Sequence, residues 1–288
     1  MCSAFDTPDR FCSGGAVSHT EIQSNTASEE PIDDRSLLQR AELVQGDFQL
    51  RIKDVPYEDK GVFFSEMLFV LATVGPGFNG RVLESGRARG QSTFVLGQIF
   101  PDADIISVEF DKDSPDAPVA EERLKAFDHV KLLYGDSRRL LFEHLTPNAV
   151  AIIDGPKGFR AIRLAFQLLR TGKVGKVFIH DVYKGLATRR FLERHVPGTV
   201  FSDHAKYVER FKHLDDRCWE GFDTTEPMEW HSTADGLSGE PSYGPTFACL
   251  SHDPRCAYNL LLGRLHLANV MARADKSVNK KLRKRGGA

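Results

Sequence analysis

Apolar positions along this chain follow two alternating patterns. Short, nearly continuous apolar runs occur at Arg81 to Glu84, in the segment ending at Glu109 and Asp111, in VKLLYGDS, in AVAIIDG and in KVFIHD. Such runs read as strands buried on both faces. Between them, Gln91 to Phe100, PDAPVAEERLKAF and Phe159 to Arg170 carry apolar residues at helical spacing. Strands alternating with helices of about 10 to 15 residues predict a parallel sheet with right-handed crossovers.

The flanks complete the element map. SLLQRAEL predicts a short helix and FQLRIKDV an extended segment, and a helix with apolar positions from Val62 to Val74 packs on the sheet. Asp54 to Gly61, just ahead of it, reads as a surface turn or as part of a lid. Beyond Asp181 come a helix (GLATRRFLERHV), a sixth strand (GTVFSDH), a mixed stretch from Lys206 to Gly239, a last strand in SYGPTFACL and a long terminal helix. The fold class expected is α/β: a Rossmann-like, doubly wound, mostly parallel seven-stranded sheet with helices on both faces and an antiparallel edge.

The predicted strands end on acids. Glu84, Glu109, Asp154 and Asp181 finish four of the first five, and Asp136 follows the third strand's Gly135. In open α/β sheets the carboxyl ends of the strands form the ligand crevice. One such acid is explained by helix N-capping; five at one edge point to a ligand. The turn after the first strand holds Gly86 and Gly90, where a ligand can approach the backbone and the next helix aims free N–H groups.

Composition narrows the setting. Residues 1 to 35 are polar and acidic, too poor in large apolar groups to offset their ordering entropy, and read as disordered. Residues 36–274 read as one domain and 275–288 as a basic flexible tail. A net charge of −2 over 288 residues argues against an obligatory nucleic-acid partner. No apolar run reaches the roughly 18 residues of a membrane span. Five scattered cysteines without CxxC spacing and an N-terminus without a secretory pattern read as reduced, cytoplasmic thiols. Oligomeric state is not legible.

Motifs favour one ligand class over others. Gln91 stands where GxGxxG needs its last glycine, and no phosphate loop, zinc spacing or GxSxG elbow is present. His180 alternates with Asp181 along a strand, so it is expected to face a helix layer.

VLESGRARGQST, ISVEFD, LLYGDS, IIDGPKG and FIHDVYKG together resemble the class I S-adenosylmethionine-dependent methyltransferases, within them the catechol-type small-molecule O-methyltransferases. The resemblance covers roughly Asp54 to Lys184. It implies S-adenosylmethionine as cofactor: Glu84, Gly86, Gly90 and Ser92 by its methionine part, Glu109 on the ribose, Asp136 and Ser137 by the adenine. It also implies Asp154 and Asp181 as ligands of Mg²⁺, Lys157 as the base, and a small molecule or sugar hydroxyl as acceptor. The pattern departs at Val182, where those enzymes place a ligating Asn. Two carboxylates plus waters still suffice for Mg²⁺, so the metal stays open. Two other readings also remain: a nicotinamide-dependent oxidoreductase on the same sheet, and a non-catalytic binder of a nucleotide-like ligand.

Overall fold

The computed structural model describes residues 33–58, 61–219 and 246–285. The expected disorder of residues 1 to 35 falls almost wholly outside these residues, as does the stretch from 220 to 245. Two helices, α1 (Asp34–Ile52) and α2 (Phe64–Val74), precede the sheet. Five βα units follow: β1 (Arg81–Ser85), α3 (Gln91–Ile99), β2 (Asp104–Glu109), α4 (Ala117–Leu124), β3 (Val130–Tyr134), α5 (Ser137–Glu143), β4 (Ala149–Ile153), α6 (Phe159–Arg170), β5 (Val174–Ile179) and α7 (Ala187–His195). The chain then forms β6 (Val200–Phe201), α8 (Ala205–Phe211), a 3₁₀ helix (Lys212–Trp219), β7 (Ala248–Ser251) and α9 (Tyr258–Arg285).

The seven strands lie in the order β3-β2-β1-β4-β5-β7-β6. β1 to β5 are parallel, and β7 runs antiparallel to both β5 and β6. This is the expected doubly wound α/β sheet with an antiparallel edge. Strand alternation divides the core in two. Val82, Ile105, Val150 and Ile152 pack with α1, α2 and α3 on one face, while Leu83, Ile106, Ala151 and Ile153 pack with α6, α7 and α9 on the other.

The short helix and extended segment expected at the N-terminal end are one helix. Leu37, Ala41, Val44, Phe48 and Ile52, spaced by three or four residues, are all buried, and that helical spacing overrides the weak helix propensity of the aromatic and β-branched residues at its end. Asp33 caps it, accepting from the Ser36 N–H at 2.7 Å. At the other end, the helix of α9 continues through position 275 to Arg285. No helix among the described residues is long and apolar enough to cross a membrane.

Candidate active site

The carboxyl ends of β1 to β5 converge as expected. A cavity of ≈ 690 Å³ opens over the ends of β1 to β4, lined by Gly86, Glu109, Phe110, Asp136, Ser137 and Lys157 among others. Five residues singled out from the sequence therefore share one cavity. Phe110 had no sequence signal beyond its place after the acid. It is an exposed aromatic ring at the rim, 75% accessible, with nothing in the fold requiring it there.

Two glycines shape the entrance for reasons the sequence only half shows. Gly86 has φ of +88°, and a Cβ there would lie 2.3 Å from the Gly155 backbone N, so the turn after β1 and the loop after β4 touch directly. Gly90, at φ +84°, starts α3, and its missing Cβ faces Leu124 and Ala120 of α4. Their bare sides thus face other parts of the chain.

The three acids on this side are engaged with the protein itself. Glu84 is buried and accepts from the hydroxyls of Ser92 and Ser107, each at 2.6 Å, and from Thr93. Burial pushes its carboxyl up, and the three hydroxyls and Arg87 oppose that. Glu84 and Ser92 therefore tie α3 to β1 behind the cavity. Glu109 accepts from the N–H groups of Arg87 (3.0 Å), Ala88 (2.9 Å) and Phe110 (2.7 Å), which fixes the glycine turn. Asp136 caps α5 by accepting from the Arg138 N–H at 2.9 Å and pairs with the Arg138 guanidinium, which holds its carboxyl below the usual carboxylate range.

The described residues ahead of α2 are tied to the start of α3 and to α4. The Gln91 side chain accepts from the Glu58 N–H at 2.7 Å and donates to the Val62 carbonyl at 3.2 Å, while Glu58 pairs with Arg89 at 3.0 Å and with Arg123.

Beside the cavity lies a charge cluster. The Lys157 ammonium pairs with Asp154 and, at 2.5 Å, with Asp181. His180 Nδ1 sits 2.8 Å from Asp154, and its Nε2 sits 3.3 Å from Glu66 of α2. Tyr183 donates to Asp181 at 3.2 Å. His180 thus reaches the helix layer, as expected, through Glu66 of α2, and its other nitrogen reaches the Asp154 end of the cluster. The reason for the second contact is backbone geometry: β5 ends at Ile179 and Asp181 takes φ of +60°, which breaks strand alternation and turns both side chains toward the same place. Glu66, inside the apolar α2, was missed because its neighbours hide it; it is fully buried and also accepts from Thr246 and from the Phe63 N–H.

Charge states follow from the partners. Both ring nitrogens of His180 face carboxylates, which favours the imidazolium; burial pushes its pKa down, and Asp154 and Glu66 raise it well above the usual histidine range. Burial likewise opposes the ionised Asp154, yet His180 and Lys157 hold its carboxyl far below the usual range. Lys157 is pushed down by burial and raised overall by Asp154 and Asp181. A lysine so placed is an ammonium at neutral pH and lacks the lone pair that a base needs.

The same geometry decides whether a divalent ion fits. Ligand atoms of Asp154, His180 and Asp181 lie within 4.8 Å of one another. Lys157, however, already bridges both carboxylates, His180 has a carboxylate against each nitrogen, and Val182 is a buried apolar side chain. In this arrangement an ammonium takes the place between the two carboxylates where a divalent ion would sit.

No protein-family model and no curated protein matches the sequence. Solved structures do. The C-terminal domain of precorrin-6Y C5,15-methyltransferase from Rhodobacter capsulatus is similar at 13% identity, over 69% of this chain and 94% of that one, with a TM-score of 0.44. Precorrin-6y C5,15-methyltransferase from Geobacter metallireducens GS-15 is similar at 17% identity, over 47% and 71%, with a TM-score of 0.37. The SAH-bound methyltransferase PaMTH1 from Podospora anserina is similar at 20% identity, over 54% and 66%, with a TM-score of 0.35. With every one of these scores below 0.5, function has to be argued from the site.

Proposed function

We propose that this chain is an S-adenosylmethionine-dependent methyltransferase that methylates a hydroxyl of a small molecule or sugar without a divalent metal. The observation carrying this reading is the juxtaposition of the cavity over β1 to β4, lined by Gly86, Glu109, Phe110, Asp136 and Ser137, with the Asp154–Lys157–Asp181 cluster at its edge. With His180 and Glu66 the cluster gathers three carboxylates and two cations, and the remaining negative charge suits a cationic cofactor.

Bound S-adenosylmethionine would supply an electrophilic methyl group on a sulfonium. The protein's part is placement, because an in-line displacement gains most from holding donor carbon and acceptor oxygen near 3 Å and aligned. Glu109 keeps a lone pair beside its three N–H partners for a ribose hydroxyl, Phe110 offers a face for the adenine, and Asp136 and Ser137 border that ring. Glu84, Gly90 and Ser92 hold α3 in register behind it. Lys157 acts as the fixed cation that lowers the cost of deprotonating the acceptor hydroxyl, and an Asp181 carboxylate oxygen takes the proton.

A labelled-methyl screen over hydroxylated small molecules tests this. Incorporation should persist in chelator and fall by about two to four orders of magnitude in Lys157→Met. Incorporation abolished by chelator would overturn the metal-free mechanism.

A further inference from the structure

A second cavity, of ≈ 700 Å³, lies between α5, α6 and α9 and shares Asp136, Arg138, Phe159, Arg160 and Asn269 with the first. Its walls carry four arginines, Arg138 and Arg139 from α5 and Arg160 and Arg163 from α6, against one acid, Asp136. The chain as a whole is at −2, so the cavity is a local reversal of sign. Arg138 is neutralised by Asp136 at 2.6 Å, and Arg139 only approaches Glu143 at 3.6 Å. Arg160 and Arg163 have no ion pair among the described residues.

The sequence of α6 produces this arrangement by helical periodicity. Arg160, Arg163 and Gln167 recur at three and four residues and form one face, while Ile162, Phe166 and Leu169 bury the other. Two guanidinium groups without counter-charges, Arg160 and Arg163, repel each other and the more loosely paired Arg139 beside them. They gain by a shared anion, and the planar fork of arginine fits the oxygens of phosphate in pairs.

We propose that this groove binds the phosphate of a small phosphorylated molecule whose other end reaches the first cavity. A groove of ≈ 700 Å³ matches the size of one such molecule. That this ligand is the methyl acceptor rests on the function proposed above; that the groove binds phosphate does not.

Calorimetric titration of inorganic pyrophosphate into the full chain tests the site, alongside S-adenosylhomocysteine as a separate titrant. Arg139 and Arg163 line the groove but not the first cavity, so the double variant Arg139→Gln/Arg163→Gln isolates it. Saturable pyrophosphate heat, weakened about tenfold or more in the variant while S-adenosylhomocysteine binds as before, supports the proposal. An Arg139→Lys/Arg163→Lys variant should regain part of the affinity. Absence of saturable pyrophosphate heat, or heat equal in the glutamine variant, overturns it. So does a short single-stranded RNA that binds tightly and depends on these arginines while pyrophosphate does not bind. Pyrophosphate binding without S-adenosylhomocysteine binding keeps the phosphate site and removes the methyltransferase reading.

Discussion

Replacing Lys157 by Met removes one charge, shortens the side chain by one atom, and leaves Asp154 and Asp181 facing each other. At an effective dielectric constant near 20, the gross attraction of unit charges at the Lys157–Asp181 spacing of 2.5 Å is about 7 kcal/mol. Most of that is offset by hydration, because the lysine side chain is 52% exposed. The net loss should fall between the value of a surface pair and that of a buried one, about 2 kcal/mol. For a domain of this size that lowers the Tm by about 4 to 8 °C. Vacating the carboxylate pair should also create a cation site, and an ion at about a hundred times its Kd would restore about 2.7 kcal/mol. Thermal unfolding with and without millimolar Mn²⁺ reads both effects. The wild type should not respond to Mn²⁺, whereas Lys157→Met should start lower and rise with the ion. A wild-type Tm that climbs with Mn²⁺ as much as the variant's, or a variant that loses no stability, would refute the assignment of Lys157 as the resident cation.

Other outcomes follow from the same contacts. His180 is raised in the folded state, so its contribution is fully present below about pH 6.5 and is lost as pH rises through the folded value; the Tm advantage of wild type over His180→Gln should therefore shrink on going from about pH 6 to about pH 9, and a constant difference would contradict the imidazolium. Gly86→Ala forces a Cβ to within 2.3 Å of the Gly155 N at a φ of +88° and should cost about 2 kcal/mol or more, read by urea denaturation. Phe110→Ala removes an exposed ring and should leave the Tm within about 2 °C while weakening S-adenosylhomocysteine binding about tenfold, as expected for loss of one base-stacking aromatic; unchanged affinity would remove Phe110 from the adenine site.

Much of the fold was legible because parallel strands are continuous apolar runs and the helices between them keep a 3.6 period; β1 to β5 and α6 lie where the pattern puts them. The acids could be assigned to one edge of the sheet because the topology leaves little choice. Their partners were not legible. Glu84 turned inward to three hydroxyls and Asp136 became a cap, which depends on distances between residues far apart in sequence. His180 was rightly set against a helix layer, but its link to Asp154 was not legible, because strand alternation stops at Ile179 and only the positive φ of Asp181 reveals the turn. Glu66 was hidden in an apolar helix, its role set by Thr246, 180 residues away.

The central claim is that the cavity over β1 to β4 holds S-adenosylmethionine. Titrating S-adenosylhomocysteine into the folded chain by calorimetry is its most direct measurement. The account predicts saturable, one-to-one binding that weakens in Phe110→Ala. A correctly folded protein that gives no heat at millimolar S-adenosylhomocysteine would contradict it.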